Sequence, residues 1–438
     1  MPVDKNLFLH DTAIVAIMKN EAPYIKEWLD YHLLAGVDHF YIYDNDSPDN
    51  QKEILQPYIE RGFVTYIFYP GRARQYEAYN EATRRFRFFC RYIAFIDGDE
   101  FIFPKNDLSI PEVTDKILSE INFASALAMN IHEFGSNFQD KADFNRGVLE
   151  RFTRRASDDW APLLPDGVPG GTARTKAITN PRKINYFWHP HFAIYHRDCV
   201  PVNELGKPTD GACSSPVSTK FIVLNHYKMK SKEEYFTKMK RGMADNVINL
   251  YEEKDFSHEN MTNDVEDTGI LKYRDERKKI FMPDGKIDSL AESKKPDYEK
   301  IFDALTKNLL RTNSVSPEFF IGKAETFLTC RALAAHLRDE KIIDEETGNF
   351  LEETALKAVH KAMVTKVLIS DFKLLLDELP LIISRPYPII DEICESLINM
   401  ISQFVNTLRG YDKESWKEFV TLKHSESMIR AFVEIRRK

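Results

Sequence analysis

A chain of 438 residues exceeds the length at which one hydrophobic core keeps growing, so two domains are expected. Its 43% hydrophobic and 29% charged residues are ordinary for a soluble protein, and a net charge of −8 gives no electrostatic case for nucleic acid. Five scattered cysteines without a Cys-x-x-Cys pair argue against zinc or a disulfide framework, and no apolar run approaches the ~20 residues that span a bilayer.

In chain order, Ala13 to Lys19 is a short apolar run that stops at Asn20-Glu21-Ala22-Pro23. Apolar and aromatic residues at 24, 25, 28, 29, 31, 33 and 34 then trace a helical stripe, with Pro23 suited to its first turn and Gly36 to its stop. Phe40 to Tyr43 reads as a second strand ending at Asp44. A helix around 50–60, a strand from Phe63 to Tyr69 and a helix around 75–88 follow. Residues 92–104 begin as a strand buried on both faces and carry Asp97, Asp99 and Glu100 at its mouth. Strand–helix alternation at this spacing predicts right-handed crossovers and a mostly parallel, Rossmann-like α/β sheet. Ligands of such sheets lie at the carboxyl ends of the strands, where Asn20, Asp44 and the 97–100 acids all fall.

The three acids repel one another and lose solvation when buried, so a cation is expected to compensate them. Oxygen ligands around the small Gly98 suit Mn²⁺ or Mg²⁺, with open positions left for a diphosphate. Asp99 is the first choice for direct coordination; Asp97 would hold the metal through water or bind a ribose. Asp44 could accept hydrogen bonds from a nucleoside or serve as an Asx-turn residue. Asn20 could line the pocket or cap a helix, and Glu21 suits a helix N-terminus without any further role. Further on, Glu133 follows the strand 126–131 and Glu150 lies in Val-Leu-Glu-Arg-Phe, where pairing with Arg154 is the plain alternative. His132, Asp140 and Asp143 stand in reserve as acid–base groups. Residues 156–175 form a long loop on the acceptor side, in which Trp160 could stack on a sugar or fill a gap in the core.

Several strings together resemble the GT-A-type family 2-like and family 92 glycosyltransferases. They are 16–32 (Ala-Ile-Met-Lys-Asn-Glu through Asp-Tyr-His), Tyr43 to Ser47, Ile96 to Phe101, Glu133 to Asn137, Lys176 to Pro181, His191-Phe192 and Asn225 to Ser231. The ordered series covers about 10–245, and either His189 or His191 matches the family histidine after the loop. The resemblance implies a GT-A domain and sugar transfer, with inversion, from a nucleotide-diphosphate donor, a UDP-sugar first, to a glycan or glycoconjugate acceptor. It implies that His226 completes a metal site with Asp97 and Asp99. It also implies that Gln75 opens a donor-side helix; inversion needs a general base within reach of the acceptor hydroxyl, for which Glu133 and Glu150 are the candidates. Two other classes use similar acids: a metal-dependent nucleotidyl or phosphoryl transferase, and a non-catalytic nucleotide- or glycan-binding module on a transferase scaffold. Surface polysaccharide assembly in the cytoplasm is the expected setting, given the absence of a signal-peptide pattern, with peripheral contact at the inner face of the membrane allowed.

The composition changes after 250. Acids crowd 252–267, and breakers at Pro283 and Pro296 lead into apolar spacings of three and four. The predicted organisation is a GT-A domain over 1–255, a linker over 256–296 and an all-α helical domain over 297–438, whose role no motif indicates.

Overall fold

A computed structural model describes residues 5–121, 123–163, 168–195, 199–242, 262–273, 330–339 and 341–352, together with 244, 246, 256, 300, 301, 304 and 305. In chain order the elements begin with β1 (His10–Met18), α1 (Ala22–Leu34), β2 (His39–Asp44), α2 (Gln51–Glu60), β3 (Val64–Phe68), α3 (Gln75–Phe86) and β4 (Cys90–Phe95). They continue with β5 (Glu100–Pro104), α4 (Ile110–Leu118), β6 (Ala124–Glu133), α5 (Val148–Arg151), β7 (Arg154–Arg155) and β8 (Thr175–Thr179). The last are β9 (Ile184–His189), β10 (Phe192–Tyr195), β11 (Val200–Val202), β12 (Ile222–His226), α6 (Lys232–Arg241) and β13 (Val265–Glu266).

The main sheet runs β3-β2-β1-β4-β8-β6-β12-β5, with β11 beside β6. The first four strands are parallel, as alternation with helices requires. The other half is not. β8 enters antiparallel between β4 and β6, and β5 runs antiparallel to β12. The sheet is therefore mixed rather than mostly parallel, with helices packed on it. The acidic stretch departs from expectation in the same way, because it is a connection between two strands. Glu100 N–H closes a turn on the Asp97 carbonyl (3.1 Å), and the apolar run beyond it becomes β5.

The central strands are apolar on both faces because helices cover both, and Ile14, Ile42, Ala94 and Leu127 are fully buried. In α1 the apolar stripe buries Ile25, Trp28, Leu29 and Tyr31 against them. Where α1 ends, Gly36 holds φ +102, and a Cβ there would lie 2.9 Å from Pro111 Cδ, so the turn into β2 needs glycine. Capping boxes start α4 (Ser109, Glu112) and α6 (Ser231, Glu234).

Two compact units divide the chain: Met1–Lys5 with His10–Pro296, and Asn6–Leu9 with Asp297–Lys438. In the second, Leu7 and Phe8 pack with Ile301, Leu305, Cys330, Leu333 and Leu337, and residues 330–339 and 345–352 are helical. Most of the helices expected over 297–438 lie outside the described residues. Among the described residues no helix is long and apolar enough to cross a membrane.

Candidate active site

Sheet register assembles the site. His226, at the end of β12, pairs with Glu133 of parallel β6 on one side and with Glu100 of antiparallel β5 on the other. Three ionisable residues from distant parts of the chain thus stand side by side at one edge. On the neighbouring parallel strands, Met18 is in register with Asp44 and Val15 with Phe95, so Asn20, Asp44 and Asp97 leave the sheet at that same edge.

The acids divide into two groups. Asp97 and Glu100 share buried Lys176, whose Nζ donates to Asp97 Oδ2 at 3.0 Å and lies 3.2 Å from Glu100 Oε2. Asp97 Oδ1 accepts from Gln75 Nε2 (2.7 Å) and the Tyr79 hydroxyl (3.3 Å), and its backbone N–H donates to Glu100 Oε2 (2.8 Å). Burial, joined by the nearby Asp97 charge, pushes Glu100 up to about 7 against the pull of Lys176. Burial also opposes the charge on Lys176, yet Asp97 and Glu100 hold it well above the ordinary lysine value. The second group is Asp99, His226 and Glu133. His226 Nδ1 lies 3.0 Å from Glu133 Oε2, and its Nε2 lies 3.7 Å from Asp99 Oδ1. Burial disfavours the charged ring, but Glu133 and then Asp99 outweigh it, pushing His226 up to about 9. Burial would raise Glu133, and His226 pulls it below the usual carboxylate value. Burial would raise Asp99 too, but Lys238, His226 and Lys230 hold it well below that value.

Helix α6 lies along this edge. Lys238 pairs with Asp99, and Arg241 reaches Glu21 Oε1 (2.6 Å) and the Lys19 carbonyl. The helix is fastened by Glu234, which accepts from Arg151 Nη1 and Nη2 (2.8 and 2.7 Å), the Tyr24 hydroxyl (2.8 Å) and Ser231 N–H (3.1 Å). Lys230 is buried with Nζ 4.2 Å from the centre of the Tyr24 ring, and burial lowers its pKa.

The donor-side residues are placed as follows. Asn20 adopts φ +56 and its N–H donates to Ser47 Oγ (3.0 Å); among the described residues no donor reaches its buried Oδ1. It does not cap α1, whose first residue is preceded by Glu21 without a side-chain cap bond. Asp44 makes an Asx turn with Ser47 N–H (3.0 Å) and accepts from the Tyr66 hydroxyl (2.7 Å), so both oxygens already have partners. Gln75 is the first residue of α3.

Glu150 stands elsewhere, lining a separate cavity with Glu27, Tyr31 and Tyr273. Helix α5 ends at Arg151, short of Arg154, whose guanidinium donates to the Asn263 and Asp264 carbonyls. Strand alternation turns His132 away from Glu133, towards Asp158 (3.3 Å) and Asp267 (3.9 Å). There burial, with Arg155 and Lys105, lowers it to about 3. Trp160 packs over Gly171, where a Cβ would lie 2.5 Å from its ring.

The two carboxylate groups suit different tasks. Asp99 and His226 offer a hard oxygen and an imidazole nitrogen 3.7 Å apart, a donor pair that fits one divalent ion with positions left for phosphate oxygens and water. Asp97 is held by Gln75, Tyr79 and Lys176. Among the described residues no group of three His, Cys, Asp or Glu converges as a ready cage. Sequence reasoning missed Lys176 and Lys238. Lys176 begins a quoted family string, while Lys238 and Arg241 are two cations of a polar helix with no local signal.

The family model of glycosyltransferase family 92 matches residues 15–284. A family 92 glycosyltransferase of Ricinus communis is 25% identical over 246 residues, 56% of this chain and 40% of that one. One from Oryza sativa subsp. japonica is 26% identical over 247 residues, 56% of this chain and 38% of that one. The chain thus spans well under half the length of these relatives. Among solved structures, S. aureus TarS 1–349 aligns with a TM-score of 0.27 and 14% identity over 78% of this chain and 90% of that chain, a likeness too slight to inform on ligands.

Proposed function

The chain belongs to glycosyltransferase family 92, and from that premise we propose that it moves a sugar from a nucleotide-diphosphate donor, a UDP-sugar first, to a glycan or glycoconjugate acceptor with inversion. Surface polysaccharide or glycoconjugate assembly is the proposed setting. The observation that carries this reading is the convergence of Asp99, His226 and Glu133 at the carboxyl edge of the sheet.

Asp99 and His226 are the residues we assign to a Mn²⁺ or Mg²⁺ ion, which when bound would supply Lewis-acid stabilisation of the leaving diphosphate. Glu133 turns the His226 ring by pairing with Nδ1, leaving Nε2 directed at Asp99. Lys176, Gln75 and Tyr79 hold Asp97 in one orientation; we assign Asp97 to the donor's ribose rather than to direct metal coordination. Asn20 Oδ1, buried with no donor among the described residues, is assigned to a donor N–H or O–H of the nucleoside. Asp44 shapes this wall through Ser47 and Tyr66 and retains lone pairs for the nucleoside. Lys238, Lys230 and Arg241 give the edge a positive rim that suits a diphosphate. For the general base we propose Glu133, because a carboxylate that spends one lone pair on His226 keeps others for an acceptor hydroxyl.

The test is calorimetric titration of the protein with UDP, GDP and CMP, with Mn²⁺ and with EDTA. Selective binding of one nucleotide that EDTA abolishes is expected, and Asp99→Asn should remove it while the circular dichroism spectrum stays unchanged. Unchanged donor affinity in that variant would refute the metal assignment. No nucleotide binding under any condition would favour the non-catalytic alternative.

A further inference from the structure

The β9–β10 hairpin carries aromatic residues that the donor site does not use. Its tip stands at the catalytic edge: His191 Nδ1–H donates to the Thr175 carbonyl (3.1 Å), one residue before Lys176. Its inward side is pinned to α3. Phe187 N–H donates to Asn80 Oδ1 and Asn80 Nδ2 donates to the Phe187 carbonyl, both at 2.8 Å. The Phe187 ring packs on Tyr79 and Phe95, with centroids 5.3 and 4.5 Å away, and the Tyr79 hydroxyl reaches Asp97.

Period-two alternation then turns Tyr186 and Trp188 outward, 47% and 56% exposed. Trp188 is braced by Phe192, edge to face at 5.8 Å, and Phe192 is itself stacked on His189 at 4.8 Å. A braced indole loses little rotamer freedom when a ligand covers it. Two residues along a strand separate the rings by about 7 Å, close enough for neighbouring sugars of one chain. The patch is two aromatic faces, one with a phenolic hydroxyl and one with an indole N–H at its tip, which matches a pyranose, apolar on its C–H face and polar at its rim, better than an aliphatic protein surface.

We propose that Tyr186 and Trp188 form a stacking platform for an acceptor oligosaccharide and hold its chain beside the donor site. This rests on the glycosyltransferase reading for its purpose, but its binding test does not. The full-length protein is titrated, without donor, with cellotetraose, mannotetraose, β-1,4-galactotetraose and xylotetraose while the Trp188 indole N–H resonance and the heat of binding are followed. At least one tetraose should shift that resonance. Trp188→Ala should weaken its binding at least tenfold and Tyr186→Ala less, while Trp188→Phe should restore part of the affinity. Nucleotide affinity should stay unchanged in all three variants, which also shows that they fold. The platform is refuted if no tetraose binds, or if binding survives Trp188→Ala. It is also refuted if sedimentation reveals a concentration-dependent dimer that Trp188→Ala dissolves without loss of tetraose binding, since the face would then belong to a second copy. Nucleotide bound without any tetraose refutes the platform alone; a tetraose bound through Trp188 without nucleotide refutes the transfer reading and retains the platform.

Discussion

Replacing Glu234 by Gln tests how α6 is held against the site. Glu234 and Arg151 are almost closed to solvent, their side chains 4% and 1% exposed, and the guanidinium meets the carboxylate through both nitrogens. Burial works against the carboxylate, but Arg151, Ser231 and Tyr24 bring Glu234 from 4.5 down to about 2. That shift corresponds to ~3 kcal/mol at neutral pH. Removing one partner of a buried pair costs a similar amount, about 3–5 kcal/mol, because the other charge stays uncompensated. The sign follows from the depressed pKa: the contribution is complete above about pH 4.5 and disappears as pH falls through about 2. Amide exchange over α6 reads it directly. At pH 7, Glu234→Gln should speed exchange of 232–241 by roughly a hundredfold, at ~1.4 kcal/mol per tenfold. The advantage of the parent protein should vanish between pH 4.5 and 2. Since α6 brings Lys238 to Asp99 and Arg241 to Glu21, nucleotide affinity should fall as well. Acceleration of less than tenfold at pH 7, or an advantage that persists at pH 2, would refute the reasoning.

Lys176→Met should leave Asp97 and Glu100 facing each other without their shared cation and cost about 3–5 kcal/mol. Urea denaturation reads the loss, and an unchanged midpoint together with unchanged nucleotide affinity would contradict the role given to Lys176. Glu133→Gln keeps the shape of the side chain but not its basicity, so turnover should drop by about 10²–10⁴ with nucleotide affinity preserved. If affinity falls in step with turnover, lost support for His226 accounts for the whole effect and the base assignment fails.

Apolar runs bounded by polar clusters were enough to locate β1, β2, β3, β4 and β6, because a strand buried in the sheet must be nearly all apolar. The same reasoning could not foresee that Phe101 to Pro104 forms a second strand. A buried run looks alike whether it continues straight or turns, and the Asp97–Glu100 turn is visible only in its backbone bond. Nor could it foresee the antiparallel entry of β8, which depends on pairing partners far away in the chain. Asn20, Asp44 and the 97–100 acids were legible as one edge because parallel strands align their carboxyl ends. Glu150 shows the limit of that logic: an acid after an apolar pair carries no address until the helix holding it is placed.

Local periodicity and three clustered acids by themselves determined an α/β sheet with a carboxylate-rich edge that needs positive charge. Only the tertiary structure decided where that charge comes from within the chain, since Lys176 reaches Asp97 across 79 residues and Lys238 reaches Asp99 across 139. Backbone propensity and burial act over a few residues, so they leave a pattern in the chain. Coulomb attraction depends only on distance in space, and in a sequence each of these lysines looks like any other.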